Sequence, residues 1–243
     1  MAPASAARRY IDLDQNLAGS VVFFGDPHGN FSPVREILRR QRPAHSIFLG
    51  DFDLERPLDI ELADLTSAGS SVNFIHGNHD ADRETWHDFV FESKLASRNL
   101  SGRVVELDGI RVAGLGGVFH ADVWHPQNAG GIPKFNTRGE YLSAHPRFLW
   151  RGGLPLRHRS TIFPEDFNVL AALEADVLVT HEAPSAHRYG HTEIDDLAEV
   201  LGVKTVVHGH LHQDYRATLS NGIRVIGLPK SGVHITSFRA LIR

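Results

Sequence analysis

The feature that most constrains this chain is an alternation. Short apolar runs of strand length alternate with segments of helical spacing, and the runs end in clusters of glycine, aspartate, asparagine and histidine. Ser20–Phe24 (SVVFF) leads into Gly25-Asp26-Pro27-His28-Gly29. Ser46–Leu49 (SIFL) leads into Gly50-Asp51-Phe52-Asp53, and Ser71–Ile75 (SVNFI) is followed by Gly77-Asn78-His79-Asp80. Between the runs, Ser32 offers an N-cap and Pro33 a first helical position, and Val34, Ile37 and Leu38 carry helical spacing to about Arg40. Leu58–Ala68 is a second helical segment, ending at Gly69, and Arg83–Lys94 a third. This order predicts parallel strands in an α/β fold. Further on, Asp176–Thr180 (DVLVT) ends in His181-Glu182. Thr205–His208 (TVVH) ends in Gly209-His210-Leu211-His212, with a helix expected over Glu193–Leu201 between them. In open α/β sheets ligands bind beyond the carboxyl ends of the strands. The five clusters are therefore expected to meet in space.

The second half has a different texture. Arg103–Leu107 and Ile110–Ala113 flank Asp108-Gly109, a hairpin signal. Pro164–Leu173 reads as helical. The tail offers short strands near Gln213–Leu219, Ile223–Ile226 and Val233–Phe238, with Asn221-Gly222 as a turn. Residues 119–160 show little periodicity and read as a long irregular insertion, a possible cap over substrate. A parallel front and a hairpin-rich back imply two sheets or one mixed sheet, flanked by helices. The whole of 1–243 is expected to form one domain, with 1–19 as an N-terminal extension. That extension holds Arg8 and Arg9 but no apolar core of a secretory signal. No run reaches the roughly 18 apolar residues of a membrane span. A cytoplasmic protein is expected.

Composition narrows the chemistry. With no cysteine among 243 residues, disulfides, thiolate metal sites and thiol nucleophiles are excluded, whereas 16 histidines are available. Carboxylate, imidazole and carboxamide ligands without sulfur suit borderline to hard divalent ions, namely Mn²⁺, Fe or Zn²⁺. Asp26, His28, Asp51, Asn78, His181, His210 and His212 are seven such candidates. One tetrahedral ion needs about four ligands, so seven fit two ions sharing a carboxylate.

The order of these clusters resembles the calcineurin-like metallophosphoesterase family: Asp-x-His, Gly-Asp, Gly-Asn-His-Asp, a lone His, then Gly-His-x-His, over roughly Gly25 to His212. The resemblance implies a two-sheet α/β sandwich of four layers, α-β-β-α, with a dinuclear metal centre for which manganese is the first choice. It implies that Asp26, His28, Asp51 and His212 bind one ion. Asp51, Asn78, His181 and His210 bind the other, and Asp51 bridges. His79 binds no metal and faces the phosphoryl group as general acid or transition-state stabiliser. The implied reaction is hydrolysis of a phosphomonoester or phosphodiester by a hydroxide held between the ions. Asp80 or Asp53 is expected to hold the His79 ring. The second cluster lacks the Gly-Asp-x-x-Asp-Arg-Gly of protein Ser/Thr phosphatases, since Asp53 falls one position early. The third reads Gly-Asn-His-Asp where that branch has Glu.

Each piece has a plainer reading: a Gly77-Asn78 turn, a capping Asp26, two solvent-facing histidines at 210 and 212, a core His181. Their conjunction at five strand ends favours the metal reading. Residues 134–160 hold six cations against Glu140 alone, interleaved with aromatics. Arg138 and Arg151 are the substrate candidates there, with a solvated loop as the plain alternative. The expected substrate is a small-molecule or nucleotide-like phosphate ester. A net charge of −4 argues against nucleic acid without excluding it. A non-catalytic scaffold of the same fold, and a nuclease, are the alternatives.

Overall fold

The structure is a computed structural model that describes residues 20–243, so the 1–19 extension lies outside the described residues. In chain order the elements are β1 (Ser20–Phe24), α1 (Ser32–Arg40), β2 (His45–Phe48), α2 (Leu58–Glu61), α3 (Ala63–Ser67), β3 (Ser71–Phe74) and α4 (Glu84–Phe91). There follow β4 (Arg103–Leu107), β5 (Ile110–Leu115), α5 (Arg138–Ala144), α6 (Pro164–Ala171), β6 (Val177–Thr180) and α7 (Thr192–Leu201). The chain closes with β7 (Thr205–His208), β8 (Tyr215–Thr218), β9 (Arg224–Gly227), β10 (Val233–Ser237) and α8 (Phe238–Leu241).

The strands form two mixed sheets. One has the order β10-β1-β2-β3 and the other β4-β5-β6-β7-β9-β8. β1, β2 and β3 are parallel, as are β5, β6, β7 and β9; β10, β4 and β8 pair antiparallel at or near the edges. Side chains of a strand alternate between faces, and β1 shows the consequence. Val21 and Phe23 join Ile47, Val177, Val179 and Val207 in the core between the sheets. Val22 and Phe24 turn the other way and pack with Val34 and Ile37 of α1 and with Leu58 and Leu65. On the far side of the second sheet, Leu178 and Val206 meet Leu170 of α6 and Ile194 and Leu197 of α7. Three apolar layers thus separate four structural ones, helix, sheet, sheet, helix. Each fully buried Phe, Ile or Leu contributes about 1.5–3 kcal/mol. Among the described residues, no helix is long and apolar enough to cross a membrane.

Three expectations change. The helix over Leu58–Ala68 is broken at Leu62, so that α2 and α3 are separate short turns. Ser32 does not cap α1; it is the first helical residue, and its backbone N–H and hydroxyl both donate to the Asn30 side chain. The 119–160 segment is less irregular than its sequence. It contains α5, capped by the Thr137 side chain. Phe119, Val123, Trp124, Tyr141 and Leu154 are also buried in the core of the outer helical layer. Its apolar residues lack a single period because they answer to several turns in succession.

Candidate metal centre

The parallel strands of both sheets deliver their ends to one place. The turn after β1 carries Asp26 and His28, that after β2 Asp51, and that after β3 Asn78 and His79. The second sheet supplies His181 after β6 and His210 and His212 after β7. The turns need unusual backbone: His28, Asp51, Asp53, His210 and His212 have φ of 43°, 54°, 50°, 63° and 52°. Non-glycine residues rarely take this left-handed conformation, at a cost of about 1–3 kcal/mol each, and such strain concentrates at functional sites.

Two groups of ligand atoms result. In the first, His28, Asp51 and His212 converge. His28 Nε2 lies 3.1 Å from His212 Nε2. His212 Nε2 lies 3.3 Å from Asp26 Oδ2, and His28 Nε2 lies 3.6 Å from Asp51 Oδ2. In the second, Asp51, His181 and His210 converge. His181 Nε2 is 3.3 Å from Asp51 Oδ2 and 3.2 Å from Asn78 Oδ1. Asp51 Oδ2 therefore faces both groups. Ligand atoms about 2.0–2.2 Å from a tetrahedral ion stand about 3.3–3.6 Å apart, which is close to the spacing seen here.

Surrounding groups fix the ligands. His181 donates its Nδ1–H to the Leu49 carbonyl at 2.6 Å, leaving Nε2 free. Asp53 Oδ2 takes the Nδ1 side of His28 at 3.0 Å, turning its Nε2 inward. Asp80 is buried and accepts the backbone N–H groups of Asp51, Phe52 and Gly77 at 3.0, 2.8 and 2.8 Å, pinning two turns to each other. Neither Asp53 nor Asp80 holds the His79 ring. Asp82 does, at 2.6 Å from His79 Nδ1. The sequence reading missed Asp82, although an acid three residues after His79 on a helical turn is a usable signal. His79 is half-buried at the rim, 5.2 Å from the His28 ring centre to centre. Glu182 is buried beside His181; its Oε1 accepts the Phe119 N–H at 3.0 Å, and its Oε2 lies 3.9 Å from His210 Nε2.

A pair of cations fits what is present. Asp26 Oδ1 is buried with no hydrogen-bond partner. The space beside the ligands exists because glycine stands there. A Cβ on Gly77 would meet Asp51 Oδ1 at 2.2 Å, and one on Gly209 would meet Asp26 Oδ1 at 2.2 Å. Charge compensation points the same way. Burial opposes ionisation of Asp51, but the facing His181 and the His79 N–H hold it well below the usual carboxylate range. Burial likewise opposes a charged His181, yet Asp51 and Asp26 push it up to about 10. The buried carboxylates thus require positive charge at this point, which a divalent ion supplies by displacing that proton. Burial, with His181 nearby, keeps His210 neutral by lowering it to about 4, the form that ligates. Burial also works against charge on His79, but Asp51 and Asp82 outweigh it and raise its pKa.

Residues 19–214 match the sequence model described as calcineurin-like phosphoesterase. The chain belongs to this family. As a metallophosphoesterase it carries the family's general activity, metal-dependent phosphoester hydrolysis. A Haemophilus influenzae protein described as uncharacterised is 41% identical over 196 residues, covering 80% of this chain and 84% of that one. A dimetal phosphatase from Danio rerio superposes with a TM-score of 0.55 at 14% identity, covering 91% of this chain and 93% of that one. The TT1561 protein of Thermus thermophilus gives 0.54 at 13%, covering 90% and 98%. At such identities these structures share the fold.

The two arginines expected near substrate in this metallophosphoesterase are otherwise engaged. Arg138 bonds Glu165 at 2.7 Å and grips Asp166 through both terminal nitrogens at 2.8 and 3.0 Å, tying α5 to α6. Arg151 grips Asp88 of α4 at 2.6 and 3.0 Å. Both arginines hold the insertion on the body, their charge matched by the carboxylates they grip.

Proposed function

We propose that this chain hydrolyses a small organic phosphate ester, monoester or diester, with two divalent cations, manganese first among them, held by Asp26, His28, Asp51, Asn78, His181, His210 and His212. The observation that carries the reading is the Asp51 Oδ2 atom, 3.6 Å from His28 Nε2 and 3.3 Å from His181 Nε2. One oxygen shared between two sets of ligands is the arrangement of a bridged pair. When bound, the cations would supply neutralisation of the phosphoryl oxygens and activation of the attacking water. The rest falls to the protein. Asp53 and the Leu49 carbonyl keep His28 and His181 aimed inward. Asp82 takes one nitrogen of His79 and leaves Nε2 free to pass its proton to the departing alkoxide, which leaves poorly unless protonated. The turn geometry locked by Asp80 keeps Asp51 and Gly77 in register, so the ligands need not reorganise.

The test is hydrolysis of p-nitrophenyl phosphate and bis-p-nitrophenyl phosphate by the full chain loaded with Mn²⁺, Fe²⁺ or Zn²⁺. Turnover lost to chelation and restored by metal is expected. Inactivity on both substrates with all three metals removes the reading.

A further inference from the structure

Outside the metal centre, the segment between β5 and α6 forms an open cavity of about 650 Å³, within the range of small-molecule sites. Its lining combines the aromatic rings of Phe135, Tyr141 and Phe148 with two cations, Lys134 and Arg157, and one carboxylate, Asp122, which Arg157 pairs. Phe148 is 69% exposed, an apolar ring with a face unused. Arg138 and Arg151 are spent on carboxylates, and Arg159 on the Leu154 and Trp150 carbonyls. Lys134 has no ion-pair partner among the described residues. Arg157 is held rigid. Its Nε–H donates to His158 Nε2 at 3.1 Å and a terminal nitrogen donates to Asp122 Oδ2 at 2.9 Å. His120, Asp122 and His158 bring donor atoms within 4.8 Å of one another, close enough for a metal, but this guanidinium already supplies their positive charge.

One turn of the cavity's wall meets the turn that carries His79. The turn Leu156–His158, which bears Arg157, packs against the turn His79–Ala81. Two residues on, the Ser160 hydroxyl donates to the Asn78 carbonyl at 3.3 Å. The cavity wall and the proposed proton donor thus sit on adjoining turns.

We propose that the cavity receives the organic half of the substrate, and that the substrate is a nucleotide, its base stacked on Phe148 and a second phosphate paired with Lys134. The proposal rests on the phosphoesterase reading above. Stacking on an aromatic ring is tolerant of base identity and favourable enough to set affinity, and an unpaired lysine favours the more highly charged ester.

The experiment compares adenosine 3′,5′-bisphosphate, AMP, ribose 5-phosphate and p-nitrophenyl phosphate as substrates of the Mn²⁺-loaded full chain, with titration calorimetry of the first three. AMP is expected to have a KM and Kd about tenfold below ribose 5-phosphate, and the bisphosphate a lower value again. Phe148→Ala should abolish the preference for AMP over ribose 5-phosphate. Lys134→Met should abolish the preference for the bisphosphate over AMP while leaving the first preference in place. If p-nitrophenyl phosphate is hydrolysed but AMP and ribose 5-phosphate are indistinguishable, or if neither variant moves the ratios, the cavity assignment fails alone. If nothing is hydrolysed, yet calorimetry shows the AMP preference and its loss in Phe148→Ala, the hydrolytic reading fails and the cavity remains a nucleotide site.

Discussion

At the scale of single residues, the site separates ligands from the groups that aim them. The His79 ring meets the proposed ligand His28 only edge to face and is half-buried, with no donor atom in either ligand group, so removing it should leave the cations in place. His79→Ala is expected to lower kcat by about 10²–10⁴-fold, with two metal equivalents still bound by elemental analysis. Loss of metal along with rate would make His79 a ligand instead. Asp82→Asn should cost less, about tenfold in kcat with KM little changed, because it loosens the ring without removing the proton donor. A rise in KM of similar size would mean that Asp82 binds substrate directly. The seven proposed ligands stand out in sequence because each is a metal-binding type at a strand end. The carboxylate partners of Arg138 and Arg151 were not legible, for one physical reason. A charged side chain's partner is chosen in space. Asp88 comes from 63 residues before Arg151, and Glu165 from 27 residues after Arg138.

At the scale of elements, strand-end turns do the positioning, and they work only where a glycine lets one turn press on another. Gly209→Ala would drive a methyl into Asp26 Oδ1. The substitution should weaken metal binding by at least about tenfold, read by calorimetry with Mn²⁺, while far-UV circular dichroism stays unchanged. Unaltered affinity would show that Asp26 is not a ligand. Strand positions were readable from the sequence to within a residue or two, since buried parallel strands are continuous apolar runs. The insertion was not, because α5 is only seven residues long. Its burial depends on Trp124 and Phe163 arriving from either side.

At the scale of the whole molecule, buried imidazoles make stability depend on pH. His158 is fully buried, and burial, with His120 and Arg157 nearby, lowers it to about 4; an unfolded histidine titrates near 6.5. The unfolded chain therefore binds the extra proton first as pH falls. His158 costs stability progressively from about pH 6.5 down to about 4, with no further loss below. At pH 5 this amounts to about 2 kcal/mol. The penalty of His158→Gln, measured by urea unfolding with EDTA present, should accordingly shrink by about that much between pH 7.5 and pH 5. A penalty that grows on acidification would show that the buried ring is charged. One feature of the architecture reaches further. β10 follows every other strand in the chain, yet it pairs with β1, the first, whose end bears Asp26 and His28. During synthesis on the ribosome β1 must wait, one edge bare, until Val233–Ser237 clears the exit tunnel. A nascent chain stopped short of β10 has all seven proposed metal-binding side chains and an unfinished sheet to mount them on, so ion capture should be among the last events of its folding.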